Sequence, residues 1–513
     1  MSTETKGIWK VIGASSVGTL IEWYDFYIFG SLATIISEKF FPSANPTASF
    51  LATLATFAAG FIVRPFGALV FGRLGDIIGR KHTFLVTLVI MGLSTFLIGC
   101  IPSYENFHLA PAVVLVLRLL QGLALGGEYG GAATYVAEHS PEHRRGFYTS
   151  WIQTTATLGL FVSLAVIITT QKLMKPADFN DWGWRLPFLL SIVLVLVSVV
   201  IRMKMKESPL FSSLKAEGKT SVNPLKESFG HKLNLKMVLL ALFGATMGQG
   251  VVWYTGQFYA QTFMLKTCNI ESTQANTWIG IALLMATPFF VFFGWLSDKI
   301  GRKWIMLLGM LLAVICYRPI FNSMHSLSDM SNKKIVDETG KINVTPNKKL
   351  AGDSIVILTI NDKFEDGSSR VTITQYSKKE YELNKLSTQV PAPYQPKVTK
   401  TLTLADDYAW KFIALIFTLV LFVTMVYGPI AAFLVELFPT KIRYTSMSLP
   451  YHIGNGVFGG LVPFIGILIV ELSKTDKNPA GHPLSGLWYP MGVAAVCFII
   501  GAVYLSNKKP KHE

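Results

Sequence analysis

The sequence predicts an all-α membrane protein with twelve transmembrane helices in two six-helix, parallel-repeat halves and a small extracytoplasmic β-containing insertion between helices 9 and 10. Three observations predict this fold: a repeated ten-residue motif, an apolar composition and apolar segments of membrane-spanning length. Of the 513 residues, 51% are hydrophobic and 15% are charged, and the mean hydropathy is +0.43. Such a chain has too little polar surface for a soluble protein of its size.

The repeated motif is G-x-L-x-D-x-x-G-R-K, which begins at Gly72 and again at Gly294. Each copy lies between two long apolar segments. A repeat in the same order predicts two related bundles, which is the parallel-repeat plan of one large class of transporters. We therefore expect a first bundle over residues 1–204, a central cytoplasmic loop over 205–234 and a second bundle over 235–513.

Twelve apolar segments are long enough to span a bilayer. They lie at Ile8–Ile36, Phe50–Leu74, Phe84–Ile101, Ala112–Ala137, Trp151–Thr170, Leu186–Ile201, Leu235–Phe263, Trp278–Leu296, Trp304–Ile320, Phe412–Phe438, Met447–Val470 and Gly486–Leu505. The first segment is longer than a signal-peptide core and has no obvious cleavage site, so we expect it to be retained as a helix.

The net charge of +15 is largely a topology signal. If both termini are cytoplasmic, Lys and Arg concentrate in the cytoplasmic segments and adjoining helix ends, as membrane proteins favour. These basic residues are scattered over separate loops, which argues against nucleic acid as a partner. The four cysteines are isolated and show no metal or disulfide spacing, and we predict neither a metal nor a cofactor.

A second repeat, E-x-x-P-x-x-x-R, locates the insertion. Its arginines, Arg145 and Arg443, are 298 residues apart, whereas Arg80 and Arg302 of the first motif are 222 apart. The extra 76 residues therefore lie between the second copies of the two motifs. Composition places the insertion at residues 321–407, on the extracytoplasmic side.

Two segments of the insertion, Ser354–Ile360 and Arg370–Tyr376, are rich in β-branched residues and are separated by a turn containing Asp366 and Gly367. This pattern predicts a small β-hairpin unit. The proline-rich segment 391–396 is typical of a linker that returns to the bundle. A partly disordered loop without a role in transport is the alternative.

Ionisable residues inside a membrane are costly and usually functional. Glu22 and Asp25 lie three residues apart near the middle of the first helix, and Glu128 lies among glycines in the fourth. Two close carboxylates in a low dielectric do not both ionise easily. These three residues are therefore our candidates for proton coupling. Structural pairing with neighbouring helices is the alternative.

The candidate substrate-binding residues combine one buried charge with neutral polar and aromatic groups. Arg118 in helix 4 could hold a substrate carboxylate or tune the proton affinity of a carboxyl group. On the second half the candidates are Gln249, Trp253, Tyr254 and Gln257 in helix 7 and Asn455 in helix 11. A charge-paired packing site is the alternative for Arg118, and a plain packing role is the alternative for the helix 7 residues.

The two motifs predict a cytoplasmic gate, because each places an aspartate close to basic residues at a helix end. The charge pairs would form when the cytoplasmic side closes and break when it opens. The predicted gate residues are Arg64, Gly72, Asp76, Gly79, Arg80, Lys81, Arg145, Gly294, Asp298, Gly301, Arg302, Lys303 and Arg443. Simple topology anchoring is the alternative.

The chain resembles the major facilitator superfamily, whose loop signature is the motif found twice here. More narrowly, the segments Glu22–Tyr27, Arg64–Pro65, Gly126–Gly131, Trp182–Phe188 and Glu207–Pro209 resemble the metabolite:proton symporter family. That family includes 2-oxoglutarate, citrate, shikimate and proline/betaine permeases of bacterial inner membranes. The resemblance excludes the insertion, which replaces the usual short loop of the family.

The resemblance implies a multi-pass inner-membrane transporter that imports a small organic acid or zwitterion by proton symport through alternating access. Its partners would be the substrate, protons and the lipid bilayer, and we expect a monomer. An exporter or antiporter of the same fold, or a non-transporting receptor that uses the insertion, is the alternative. No nucleophile and base arrangement or phosphate-binding loop points to an enzyme.

Overall fold

The computed structural model describes residues 3–42, 52–53, 55–56, 59–346, 354–379, 381–382, 397–475, 478 and 481–506. Ten helices in this part of the chain are long and apolar enough to cross a membrane. Two more helices occupy the first and second places in the predicted order. The described residues thus contain the twelve predicted helices.

We number these helices α1 to α12 in chain order. The first half contains α1 Thr3–Ser31, α2 Arg64–Ile77, α3 Arg80–Cys100, α4 Ala110–His139, α5 Glu142–Leu173 and α6 Gly183–Met203. The second half contains α7 Lys232–Lys266, α8 Ser272–Ile300, α9 Arg302–Ser328, α10 Asp406–Leu437, α11 Thr440–Leu472 and α12 Ser485–Tyr504. The end of the bundle where α2 meets α3 and α8 meets α9 is the motif end, and the opposite end is the sheet end.

The two turns at the motif end are built alike. Gly79 and Gly301 have φ angles of 119° and 96°, in a region that residues with a side chain rarely adopt. The next residue begins a helix in both cases. In the first half, the carboxylate of Glu207 accepts a hydrogen bond from the backbone N–H of Arg80 at 3.1 Å. This bond satisfies one of the free N–H groups at the start of α3.

Two helices of the second half contain wide turns. π-Helical segments occupy Leu242–Thr246 and Thr255–Tyr259 in α7 and Ile453–Gly459 in α11. Their first-half counterparts are α-helical over Thr3–Ser31 and Arg145–Leu173. A π-turn rotates the side chains that follow it around the helix axis and is common at functional sites. The irregular helices thus belong to the second half.

The insertion forms an antiparallel sheet of four strands in chain order. The strands are β1 Ile335–Pro346, β2 Ser354–Phe364, β3 Ser369–Ser377 and β4 Lys397–Thr403. The predicted hairpin corresponds to β2 and β3, in which Asp362 lies opposite Arg370. The sequence analysis missed β1 and β4, whose charged residues dilute the apolar pattern.

The helix before the insertion is longer than predicted. We expected the insertion to begin at residue 321, but α9 continues to Ser328. Phe321 and Met324 are fully buried, so this last part of the helix packs on the bundle. The expected proline-rich linker at 391–396 lies outside the described residues.

Strand β4 attaches the sheet to the loop between α7 and α8. The N–H of Leu402 donates to the carbonyl of Asn269 at 2.7 Å, and the N–H of Glu271 donates to the carbonyl of Leu402 at 2.8 Å. The backbone of Leu404 exchanges hydrogen bonds of 3.0 and 2.7 Å with the side chain of Gln274. The sheet is therefore fixed to the second half by more than its two chain connections.

At the motif end the two halves meet along crossed helix pairs. Helix α5 packs on α8, and α11 packs on α2 and α4. A Cβ atom on Gly72 would lie 2.9 Å from the Cα of Thr445, and one on Gly294 would lie 2.5 Å from the Cβ of Ser150. Both motif glycines thus allow helices of opposite halves to approach closely.

Candidate functional site

A chain of polar side chains runs through the interior of the first half. The hydroxyl of Thr95 donates to Asp25 Oδ2 at 2.7 Å, and Gln121 Nε2 donates to that hydroxyl at 2.7 Å. Arg118 Nη1 donates to Gln121 Oε1 at 2.5 Å, and its guanidinium lies 3.4 Å from the ring centroid of Phe29. Two neutral side chains therefore connect a buried carboxylate to a buried guanidinium.

A second buried group joins α3, α4 and α6. Glu128 accepts hydrogen bonds from Arg202 Nη2 at 2.5 Å and from Thr87 Oγ1 at 2.9 Å, one on each carboxylate oxygen. Arg202 also donates to the backbone carbonyl of Phe84 and lies 3.4 Å from the centroid of its ring. Both charged side chains are 1% exposed. A buried ion pair needs such additional hydrogen bonds to offset its desolvation.

The sequence analysis missed Arg202. It predicted that the sixth helix ends at Ile201, which would place Arg202 at the membrane boundary. Helix α6 instead continues to Met203, and the side chain turns inward to Glu128. The available signal was weak, because a single arginine directly after an apolar run looks the same at a membrane boundary as beside a buried partner.

Glu22 and Asp25 lie within electrostatic range of each other, and each also has polar or charged neighbours of its own. Asp25 ends the polar chain described above. Glu22 is buried and lies within electrostatic range of Arg64, Glu128 and Arg202. The first helix thus presents one carboxyl group to each of the two buried networks.

The sequence analysis grouped Arg64 with the gate, and in the structure Arg64 also has neighbours further along the helices. Arg64 and Arg118 line one small cleft together with Gln121. About twelve residues of α2 separate Arg64 from Asp76, roughly 18 Å along the helix axis, so Arg64 lies well apart from the motif aspartate. The cleft has a volume of about 20 Å³, room for about one water molecule. It is closed to larger solutes in this structure.

The second half contributes neutral polar and aromatic side chains to the centre. Gln249 of α7 and Asn455 of α11 exchange two hydrogen bonds of 3.1 and 2.9 Å. The same part of α7 buries Trp253, Tyr254 and Gln257. The predicted substrate residues of the second half therefore lie on two adjacent helices, and two of them are joined directly.

An aromatic stack bridges the two halves. The rings of Tyr129 and Tyr451 are parallel, with centroids 3.7 Å apart. The hydroxyls of Tyr427 and Tyr451 are 2.7 Å apart, and Gln153 donates to the hydroxyl of Tyr129 at 2.8 Å. The sequence analysis missed this stack, because no sequence spacing relates tyrosines of different halves.

Each motif aspartate binds the start of a helix in the opposite half. Asp76 accepts hydrogen bonds from the N–H groups of Tyr444 and Thr445 at 3.3 and 2.8 Å. Asp298 accepts hydrogen bonds from two N–H groups at the start of α5, both at 2.8 Å. The N-terminus of a helix carries a partial positive charge that attracts a carboxylate. These contacts tie α2 to α11 and α8 to α5.

The motif arginines reinforce both contacts. Arg80 lies 3.2 Å from Asp76 and donates to the first backbone carbonyl of α11 at 2.7 Å. Arg302 lies 2.8 Å from Asp298 and binds Glu436 through two hydrogen bonds of 2.7 Å. The expected pairs of aspartate and arginine are thus formed within each half, while the aspartates also reach across to helix ends.

Two glutamates that were absent from the predicted gate belong to the same clusters. Glu138 lies 3.0 Å from Arg443 and 3.5 Å from Arg80. Glu436 lies 4.0 Å from Arg145. Both glutamates begin the second repeat, E-x-x-P-x-x-x-R, so the sequence already contained the signal. Each connects an arginine of its own half to an arginine of the other half.

The motif lysines act within their own halves. The ammonium group of Lys81 donates to the carbonyl of Met203 at 2.9 Å. That of Lys303 donates to the carbonyls of Ala502 and Leu505 at 2.8 and 2.7 Å. A cation satisfies the free carbonyls at a helix C-terminus. The lysines therefore hold the ends of α6 and α12.

A separate cavity of about 380 Å³ lies at the motif end of the second half, beside Asp298 and Arg302. Its walls are mainly apolar, and these two charged residues are already paired with each other.

Known proteins resemble this chain along most of its length. The family described as "Sugar (and other) transporter" matches residues 10–220. The chain is 29% identical to the alpha-ketoglutarate permease of Escherichia coli (strain K12), over 97% of this chain and 94% of that permease. It is 35% identical to the inner membrane metabolite transport protein YhjE of the same strain, over 61% of this chain and 73% of that protein.

A solved structure has the same fold. It is the proton:xylose symporter XylE bound to 6-bromo-6-deoxy-D-glucose, with a TM-score of 0.67 and 16% identity, over 98% of this chain and 96% of that chain. At this identity the likeness concerns the fold alone.

Proposed function

The chain belongs to the metabolite:proton symporter family of the major facilitator superfamily, and from this membership we propose that it imports a small organic acid or zwitterion together with protons. We place the motif end in the cytoplasm, because Lys and Arg concentrate in the segments and helix ends of that side. Both termini are then cytoplasmic, and the sheet lies outside.

The observation that carries this proposal is the central cleft shared by Arg64 and Arg118. A guanidinium group binds a carboxylate through two parallel hydrogen bonds, so two of them suit a substrate with one or two carboxylates. Gln121 adds an amide to the same cleft. This composition favours an anionic metabolite, as the name of the related alpha-ketoglutarate permease also suggests. The aromatic groups of α7 suit the apolar body of the substrate or the cationic head of a zwitterion.

Transport requires the halves to separate alternately at the two ends. The motif end is held by the aspartate contacts to α5 and α11, and the cleft is too small for a metabolite in this state. Breaking those contacts would let the halves rock and open the cleft to the cytoplasm. Because every step occurs within one chain, we expect a monomer to suffice.

Coupling to protons would use the carboxyl groups of the first half. Asp25 is connected to Arg118 through two hydrogen-bonding side chains. A proton on Asp25 would therefore change the charge balance beside the bound substrate. Glu128 and its partner Arg202 form a second site, with Glu22 close to both. The three carboxyl groups give the proton a route along α1 and α4.

The test is uptake by proteoliposomes that contain the purified protein. We expect a pH gradient, acid outside, to drive accumulation of a labelled dicarboxylate above its external concentration, and a protonophore to abolish it. A panel of dicarboxylates, betaines and amino acids identifies the substrate class, because a true ligand also raises the melting temperature of the protein.

The same assay separates the alternatives. An exporter or antiporter would accumulate substrate only when the gradient is reversed. A receptor without transport activity would bind a ligand and accumulate none. Either result would overturn proton-driven import.

A further inference from the structure

Tyr444 belongs to the second half, but its side chain is buried inside the first. Its exposed fraction is 0%. Its backbone N–H donates to Asp76 at 3.3 Å, and its hydroxyl donates to the backbone carbonyl of Gly127. Gly127 directly precedes Glu128. A single residue at the start of α11 thus contacts both the gate aspartate and the backbone beside a buried carboxyl group.

Three glycines of the first half form the socket for this tyrosine. A Cβ atom on Gly75 would collide with the ring. One on Gly130 would lie 3.0 Å from ring atom Cε2, and one on Gly131 would lie 2.5 Å from the hydroxyl oxygen. Any larger residue at these positions would displace the ring. Gly130 and Gly131, which follow Glu128, therefore leave the space that Tyr444 occupies in this structure.

Glu128 is enclosed by groups from four other helices. Arg202 of α6 and Thr87 of α3 bind its oxygens. On α1, a Cβ atom at Gly18 would lie 2.9 Å from Glu128 Oε1, and Glu22 contributes a like charge. On the side of α11, the hydroxyl of Tyr444 binds the carbonyl of Gly127, and Tyr444 lies within electrostatic range of Glu128. The other three helices belong to the first half, so separation of the halves removes only the group that α11 supplies.

We propose that Tyr444 is the inner plug of the proton pathway. While Asp76 holds the start of α11, the ring fills the glycine socket and seals Glu128 from water at the motif end. When the gate opens, α11 moves away from α2 and α4 and the ring leaves the socket. A protonated Glu128 then loses its proton to the entering water, and Arg202 holds the carboxylate that remains.

This inference rests on the proposed proton symport and adds the residue that links proton release to gate opening. Binding of Asp76 to the backbone of Tyr444 fixes the same residue that covers Glu128. The gate therefore cannot open while the seal stays in place. Such a link prevents the proton from leaving before the substrate site faces the cytoplasm.

The experiment measures how readily a water-soluble reagent reaches Glu128 in the full-length protein. Purified protein is treated with a water-soluble carbodiimide and a small amine, and the modified fraction of Glu128 is followed by mass spectrometry. We expect Tyr444→Ala to raise the modification rate by about tenfold or more, as a shift toward an open state would. Tyr444→Phe keeps the ring in the socket and should stay close to the wild-type rate.

A second pair of variants covers the case in which Tyr444→Ala does not fold. Gly131→Ala keeps the tyrosine in the sequence, but the new Cβ atom occupies part of the socket and displaces the ring. Glu128 should therefore again react faster. Gly13→Ala is the matched control, because a Cβ atom on Gly13 meets nothing within 4 Å. It should leave the rate unchanged.

The outcomes for the plug and for the symport can be told apart. Equal reactivity of Glu128 in the wild type, Tyr444→Ala and Gly131→Ala would overturn the plug, whatever the uptake assay shows. A second outcome is that Glu128 reacts faster in Tyr444→Ala and Gly131→Ala, while the wild type shows no gradient-driven uptake. This outcome would support the seal and overturn the symport. The reactivity measurement needs no transported substrate, so its result does not depend on the uptake assay.

Discussion

The two halves of the molecule close the motif end with the same parts but fill the centre with different ones. At the motif end, Asp76 and Asp298 each bind the start of a helix in the opposite half. In the centre, the buried acidic and basic side chains of the described first half are Glu22, Asp25, Arg118, Glu128 and Arg202. The described second half contributes His452 there.

The similar motif ends and the different centres suit two different requirements of transport, which are the motion of the halves and the binding of proton and substrate. Rocking motion requires both halves to be held and released in the same way, so a repeated gate suits it. Buried charges are costly unless they are paired, and keeping them in one half lets each retain partners throughout the motion. The second half then offers neutral amides and aromatic rings on α7 and α11, the helices with π-turns. The first half would handle the proton and the second would adapt to the substrate.

Neutralising a first-half carboxyl group should have the largest effect. We expect one of Glu22→Gln, Asp25→Asn or Glu128→Gln to abolish accumulation driven by the pH gradient. Exchange of labelled for unlabelled substrate should persist in that variant, because exchange requires no net proton movement. Uptake and exchange are measured in the same proteoliposomes. If all three variants still concentrate substrate, the proton is not carried by the first half.

Stability must be separated from coupling for Glu128. Glu128→Gln leaves Arg202 buried without an anion, a change that typically costs about 3 to 5 kcal/mol. Adding Arg202→Met removes the uncompensated charge, so the melting temperature should recover while accumulation does not. Recovery of accumulation in the double variant would show that Glu128 has a structural role alone.

Arg118→Lys should have the next largest effect, because lysine keeps the charge but loses the planar fork. Loss of one charged hydrogen bond to a carboxylate substrate costs about 1.5 to 3 kcal/mol, or roughly 10- to 100-fold in apparent affinity. Initial uptake rates over a range of substrate concentrations give the KM. Arg318→Lys is the matched control, since Arg318 is exposed and lies over Trp488 in the second half. Equal KM values for both variants would remove Arg118 from the substrate site.

The helices could be predicted from the sequence because membrane insertion is a local property of apolar segments. Motif spacing likewise predicted that Arg80 and Arg302 lie at helix ends. The partners could not be predicted, because they depend on how the halves pack. Asp76 binds backbone N–H groups of Tyr444 and Thr445, which leave no trace in the pattern of side chains. Arg202 was missed because the predicted helix was two residues too short.

Removing the charge of a gate aspartate should have a moderate effect. Asp76→Asn and Asp298→Asn retain a side-chain oxygen but lose the attraction to a helix N-terminus, which is worth about 1 kcal/mol. We expect uptake to slow about fivefold, with substrate binding retained in a thermal-shift assay. The comparison of the two halves predicts similar losses. A full uptake rate in one variant would remove the gate from that half.

Deleting the outer part of the insertion should have a small effect on transport. Residues 334–396 can be replaced by a short polar loop while β4 keeps its contacts with Asn269 and Gln274. We expect uptake to remain within about twofold of wild type, because local openings of a peripheral unit leave the bundle intact. Deletion of all of 321–407 would also remove the end of α9 and is expected to reduce membrane-inserted protein. Loss of folding in the shorter deletion would show that the sheet is structural.

The smallest effect concerns the pH stability of the insertion. Burial opposes the charge of Asp366, but hydrogen bonds from Lys333, from the N–H of Ser368 and from Tyr408 outweigh it and hold the pKa of Asp366 at about 2, below its ordinary 3.8. Because the pKa is lower in the folded state, the stabilisation is present above about pH 4 and is lost as the pH falls toward 2. The insertion should therefore loosen in acid before the bundle does.

Hydrogen exchange of β2 and β3 at about pH 5 and about pH 2.5, corrected for the intrinsic exchange rates, measures this loosening. We expect the wild type to lose protection in these strands at the lower pH. Asp366→Asn cannot change its charge, so the protection of its strands should be the same at both pH values. That protection should be lower than the protection of the wild type at about pH 5. If both proteins lose the same protection between the two pH values, Asp366 does not hold the insertion together, and the sheet depends on its contacts with the α7 and α8 loop instead.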